Sequence, residues 1–271
     1  MESVIWRKKV GSSENVGMPE FNTFDDLRLV YDDQGEGPPI VLLHGFAADS
    51  AINWVRPGIT DAIVAAGRRV IALDARGHGR SAKPHDPEAY ADDAMVRDVQ
   101  ALLDHLGLDA VDVVGYSMGS LTTLRLLGVE PRVRAAVLGG VGGAADMRPE
   151  MRQAVANALE AEQRDSVGNP AARSFRAFAD STGADRLALA AIQRARRAST
   201  PVDFRTIRVP VLVVTGDRDE LVGSPGDLAA RIPGARAKVV SGNHLSAVND
   251  RVFVAAVIAF LAEQDGNTLP A

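Results

Sequence analysis

The sequence predicts an α/β protein, a doubly wound and mostly parallel sheet with a small helical cap inserted between two strands. Three observations carry this expectation. Short, nearly continuous apolar runs alternate with longer amphipathic stretches, the pattern of parallel strands covered by helices on both faces. The 271 residues, 46% of them hydrophobic and 24% charged, supply apolar material for one large core. The alternation is interrupted once, from about Ala144 to Thr206, where no strand candidate occurs.

The elements follow in order. Residues 1–17 have only Val4, Ile5 and Trp6 as an apolar patch, with their basic residues after it. This is not the pattern of a secretory signal, and the segment reads as a disordered extension. "LRLVYDD" (27–33) alternates and is expected as an outer, antiparallel strand. "IVLLHG" (40–45), "RVIALD" (69–74), "AVDVVG" (110–115), "RAAVLGG" (134–140), "PVLVVTG" (210–216) and "AKVVSG" (237–242) are the core strands. Helices are predicted over 92–107, where Met95, Val99, Leu102, Leu103 and Leu106 share a face and Gly107 stops the run, over 117–128, and over 250–264. The interval without strands holds helical patterns near 149–163, 169–182 and 185–197. The core is therefore assigned to 18–143 and 207–265, and the cap to 144–206.

Composition narrows the function classes. The formal charge is −5 and no long basic run occurs, so a nucleic-acid surface is not expected. No apolar run approaches the roughly 20 residues that cross a bilayer, and a cytoplasmic location is expected. The absence of cysteine removes disulfides, thiolate metal sites and a cysteine nucleophile. No clustered His, Asp or Glu spacing suggests a metal, and no cofactor is expected. "GVGGAA" (140–145) matches a dinucleotide fingerprint formally, but no acidic strand follows at the required distance, and it reads as small residues giving room near a site. The prevalence of arginine over lysine, with abundant alanine, points to a GC-rich bacterial genome.

The chemistry is concentrated in "VDVVGYSMGSL" (111–121), where a buried strand ends in G-x-S-x-G and a helix begins. A serine on such a strand-to-helix turn is lifted above the carboxyl edge of the sheet, and glycines on either side make room for the turn. The helix from Met118 then aims its free N–H groups at any anion forming there. A serine hydroxyl needs a base. Of the five histidines, His105 lies near a helix end, His85 in a proline-bounded loop, His78 in a turn and His44 at a strand end, whereas His244 follows the last strand. His244 is the best-placed base. "VVTGDRDELV" ends the preceding strand and offers Asp217 and Asp219 as its carboxylate partner.

From about Phe21 to Glu263 the chain resembles the α/β-hydrolase superfamily, through "HGF" (44–46), "DARGHGRS" (74–81), "GYSMG" (115–119), "GDRD" (216–219) and "GNH" (242–244). The resemblance implies a Ser117–Asp219–His244 triad, with Asp219 preferred because the family's acid lies three residues after the strand-ending glycine. It implies an oxyanion site made by the backbone N–H groups of Phe46 and Met118, and structural roles for His44 and His78. The expected activity is hydrolysis of a small carboxylic ester or lactone through an acyl-enzyme. The motifs are similar to those of enol-lactonases, carbon–carbon bond hydrolases and haloperoxidase-like esterases. Hydroxynitrile lyases and slow-turnover small-molecule receptors share the fold and stand as alternatives. The expected partner is a small molecule with a largely apolar acyl group, because the short cap offers few large apolar side chains, among them Phe175, Phe178, Leu187, Leu189 and Ile192. The cap arginines, interspersed with Asp and Glu, are expected on a solvated surface.

Overall fold

In the computed structural model, which describes residues 18–143, 147–198 and 200–265, the apolar runs become strands of one eight-stranded sheet. The strands are β1 (Glu20–Asn22), β2 (Arg28–Gln34), β3 (Pro39–Leu43), β4 (Arg69–Leu73), β5 (Val111–Tyr116), β6 (Val133–Gly139), β7 (Val211–Gly216) and β8 (Arg236–Val240). The helices are α1 (Ile59–Ala65), α2 (Ala94–His105), α3 (Met118–Leu126), α4 (Pro149–Glu160), α5 (Pro170–Thr182), α6 (Arg186–Arg194), α7 (Pro225–Ala229) and α8 (Arg251–Asp265). The sheet order is β1-β2-β4-β3-β5-β6-β7-β8. From β4 to β8 neighbouring strands are parallel, while β2 pairs antiparallel with both β1 and β4.

Both faces of the central strands are dry, which explains their unbroken apolar sequences. Ile40, Leu42, Val70, Ala72 and Val114 meet Ile59 and Ile63 of α1 and Phe253 and Val257 of α8 on one face. The alternate residues Val41, Leu43, Ile71, Leu73 and Val113 meet Val96, Val99, Leu102 and Leu103 of α2 on the other. β6 and β7 continue that second layer against Leu124 of α3 and Leu228 of α7. Among the described residues no helix is long and apolar enough to cross a membrane.

Two expectations are corrected. The strand expected at 27–33 is antiparallel but not outermost, because the three-residue β1 covers it. Met95 shares the face of Val99 as the 92–107 pattern implied, lining a small cavity with Leu43, Leu73 and Val99, and its half-buried side chain also packs against the cap cluster. The cap arginines are not uniformly solvated. Arg176 is buried and donates to the carbonyls of Ala158 (2.9 Å) and Ala161 (2.6 Å) at the end of α4, where helical carbonyls lack intrahelical donors. Residues 1–17 lie outside the described residues.

Between β6 and β7 the described chain is helical: α4, α5 and α6 pack with Ala47 and Tyr90 of the core into one apolar cluster. Within α6, Leu189 and Ile192 are buried whereas Leu187 is exposed. Polar contacts tie these helices to the sheet side. Asp185, which caps α6 through Leu187 N and Ala188 N, lies 3.0 Å from Nε2 of His85, and the Thr182 hydroxyl donates to the Ala47 carbonyl at 2.9 Å.

Candidate active site

Four segments converge at the carboxyl edge of the sheet, where β3, β5, β7 and β8 end. The tightest is the turn from β5 into α3. Ser117 sits there at φ 51° and ψ −110°, a conformation a side-chain-bearing residue adopts only when its surroundings impose it. Its N–H donates to Gly139 O at 2.8 Å on the neighbouring strand. The flanking glycines are required by contact. A Cβ on Gly115 would approach the Gly119 carbonyl carbon to 2.5 Å, and one on Gly119 would approach the Leu43 carbonyl oxygen to 2.0 Å.

Ser117 Oγ lies 2.9 Å from His244 Nε2, and His244 Nδ1 lies 2.8 Å from Asp219 Oδ2. The Asp219 side chain is fully buried and that of His244 nearly so. The second oxygen of Asp219 accepts from Leu221 N at 3.2 Å, which sets the carboxylate's rotation. Asp217, half-exposed, instead accepts from Gly242 N at 2.9 Å and braces the loop that carries the histidine. The structure therefore brings Ser117, His244 and Asp219 together and leaves Asp217 outside the chain of hydrogen bonds.

The two amides singled out in the sequence, those of Phe46 and Met118, lie in the segments that directly follow β3 and β5. Met118 opens α3, ahead of the first intrahelical bond from Leu121 N to Ser117 O. Phe46 is the second residue of a turn closed by Ala48 N donating to Gly45 O at 3.2 Å, so its N–H lies outside the turn's own bond. Gly45 backs directly onto the serine: a Cβ there would sit 3.5 Å from Ser117 Cβ.

The remaining histidines are placed otherwise. His44 is buried, receives Ala75 N on Nε2 (3.0 Å) and faces Gly45 O with Nδ1 (2.8 Å); burial pushes its pKa down. Burial likewise pushes that of His78 down to about 3. Both rings are thus neutral spacers, 5.0 Å apart between centroids, under the loop bearing Phe46. Asp74 organises that loop. Burial alone would raise its pKa, but hydrogen bonds from Arg80 and Ser50 hold it at about 2. His105 is exposed and stacks on Phe21. Among the described residues no group of three or more His, Asp or Glu side chains could hold a metal ion.

One contributor escaped the sequence reading. Tyr116, the last residue of β5, is buried beside Phe253, and its hydroxyl donates to the backbone carbonyl of His244 at 2.8 Å. Burial raises its pKa, keeping the phenol protonated as a donor. The residue next to Ser117 in sequence thereby anchors the loop of its histidine partner. The only sequence signal was an aromatic side chain inside G-x-S-x-G.

Chemically, a hydroxyl bonded to an imidazole that is itself bonded to a buried carboxylate is a proton-transfer chain, and the N–H groups that open α3 directly after the serine lack intrahelical acceptors and can receive an oxyanion.

Comparison with known proteins agrees with this architecture. The family model described as alpha/beta hydrolase fold matches residues 38–197. The chain is 31% identical over 223 residues to the dihydrolipoyllysine-residue acetyltransferase component of an acetoin cleaving system from Pseudomonas putida, covering 75% of this chain and 57% of that protein. It therefore spans little more than half of that relative. It is 29% identical over 259 residues to a non-heme haloperoxidase of Rhodococcus erythropolis, covering 83% of this chain and 92% of the other. Among solved structures, the enol-lactonase from Burkholderia xenovorans LB400 superposes with a TM-score of 0.75 at 26% identity, covering 90% of this chain and all of that one. By its fold, its motifs and its relatives, this chain belongs to the α/β-hydrolase family.

Proposed function

We propose that the protein is a serine hydrolase that cleaves a small carboxylic ester or lactone through an acyl-enzyme. The observation that carries this reading is the continuous hydrogen-bonded chain from Ser117 Oγ through His244 to Asp219. In the proposed cycle, Ser117 Oγ attacks the carbonyl carbon as His244 Nε2 takes its proton. The oxyanion lies against the N–H groups of Phe46 and Met118. The buried carboxylate of Asp219 stabilises the imidazolium. Collapse of the intermediate breaks the bond to the alkoxide, which leaves with the proton from His244. Water then attacks the acyl carbon, giving a proton to His244, and the acid is released as Ser117 regains its hydrogen.

The substrate class follows from the walls. Phe46, Met95, Met151, Phe175 and Phe178 are half-buried in the apolar cluster between cap and core, which suits a compact apolar acyl group. The likeness to the enol-lactonase supports an activity at a carbonyl centre. In a series of nitrophenyl esters, kcat/KM should peak between acetyl and butyryl. Each methylene that finds matching apolar wall gains about 1–3 kcal/mol, so a longer pocket would register as a steady rise. A maximum at octanoyl or beyond would contradict the compact pocket. Turnover of cyanohydrins in place of any ester or lactone would favour a lyase. Labelling of Ser117 without turnover would favour a receptor.

A further inference from the structure

The cap is in polar contact with the loop that carries Phe46 through the side chain of Thr182. We propose that Thr182, the last residue of α5, is a positioning residue for the Phe46 oxyanion donor, so that cap and oxyanion site act as one unit. This inference rests on the serine-hydrolase reading above.

Three observations carry it. First, the Thr182 hydroxyl lies 2.9 Å from the Ala47 carbonyl and 3.1 Å from that of Ala179, so its single hydrogen is shared between α5 and a core loop 135 positions earlier in the sequence, with the shorter contact to the loop. Second, the turn it reaches has a demanding residue at its third position. Ala47 occupies the third position of the Gly45–Ala48 turn with φ 59°, a left-handed conformation for which glycine is the usual residue. Alanine there must be held by its surroundings, and it is: Ala47 is buried among residues of α4, α5 and α6. Third, the Phe46 ring meets that of Phe175 edge-on, with centroids 6.1 Å apart, so α5 touches the turn on two successive residues.

The consequence is geometric. The Phe46 N–H and the Ala47 carbonyl belong to one short turn, and rotating its peptide planes away from the left-handed setting re-aims both. A donor helps only when it meets the oxygen at hydrogen-bond distance in the tetrahedral state, and complete loss of one costs about 10²–10³ in turnover. Loosening the turn leaves the donor present but misdirected, a smaller loss. Substrate binding, which depends on the apolar walls, changes little.

The test uses the full chain and a short nitrophenyl ester. Thr182→Val, which keeps the shape and removes the hydroxyl, should lower kcat about tenfold with KM within about threefold. Affinity for a trifluoromethyl ketone, which forms a tetrahedral adduct with the serine, should fall by a similar factor, and Thr182→Ser should restore both. Ala47→Gly takes the left-handed conformation without a tether. In that background Thr182→Val should therefore cost less than in the wild-type chain. Unchanged kcat and inhibitor affinity in Thr182→Val, with only a lower melting temperature, would overturn the proposal. So would strict additivity of the two substitutions. If the valine variant does not fold, Thr182→Ala enters the same cycle. A wild-type chain that neither turns over the ester nor binds the ketone at Ser117 would refute the serine-hydrolase reading instead, which separates the two failures.

Discussion

Ser117→Ala should reduce ester turnover by about 10⁶-fold, the scale on which a triad serine contributes to kcat, while leaving the melting temperature within about 2 °C of wild type. The separation of these effects follows from local structure. The demanding backbone of Ser117, with φ 51°, is held by its N–H bond to Gly139 O and by glycines that leave room around it, and alanine retains all of these. The half-buried hydroxyl has one protein partner among the described residues, the imidazole of His244, and that nitrogen can turn to water once the hydroxyl is gone. The oxyanion amides are main-chain groups and survive the substitution, so a residue of catalysis over water should persist, about 10³-fold. Steady-state kinetics against an active-site-titrated wild type, with thermal denaturation of both proteins, checks the pair of outcomes.

The two aspartates after β7 should behave very differently. Asp219→Asn should lower kcat by about 10⁴-fold through the wrong-tautomer effect. Oδ1 of residue 219 is committed to Leu221 N–H, so asparagine keeps its oxygen on that amide and turns its NH₂ toward His244 Nδ1. The ring must then accept at Nδ1 and carry its proton on Nε2, where it no longer accepts the proton of Ser117. Asp217→Asn should cost only a few-fold at most, because the amide oxygen of asparagine still accepts from Gly242 N–H and the site is half-exposed. Equal losses at the two positions, or the larger loss at Asp217, would show that the acid acts through a different loop geometry.

The contrast between these neighbours also shows where sequence information ends. Residue type and placement after a strand qualify Asp217 and Asp219 equally. What separates them is the turn closed by Asp219 N donating to Gly216 O, which sends one carboxylate inward to His244 and leaves the other on Gly242. The strands were legible because burial on both faces demands continuous apolar sequence. Ser117 was legible because steric crowding demands glycine on both sides of a strand-to-helix turn. Elements that make no such demand escaped. β1 has three residues and α7 five, too short to register a period. Tyr116 and Thr182 act by donating to backbone carbonyls far along the chain. A carbonyl is offered by every residue, so such a bond leaves no complementary signature in the sequence. The burial of Arg176 was hidden for the same reason, since its acceptors are the carbonyls of Ala158 and Ala161.

The proposed cycle requires a covalent acyl group on Ser117 during turnover, and trapping that group tests it directly. Mixing the protein with excess nitrophenyl butyrate, quenching in acid within the first turnover and mapping the peptides by mass spectrometry reads the acyl group where it forms. A butyryl adduct is expected on Ser117 and nowhere else, absent from Ser117→Ala and accumulating when deacylation is slowed. Turnover with no adduct at Ser117 under conditions that trap one in a known serine esterase, or an adduct on another residue with activity surviving Ser117→Ala, would contradict it.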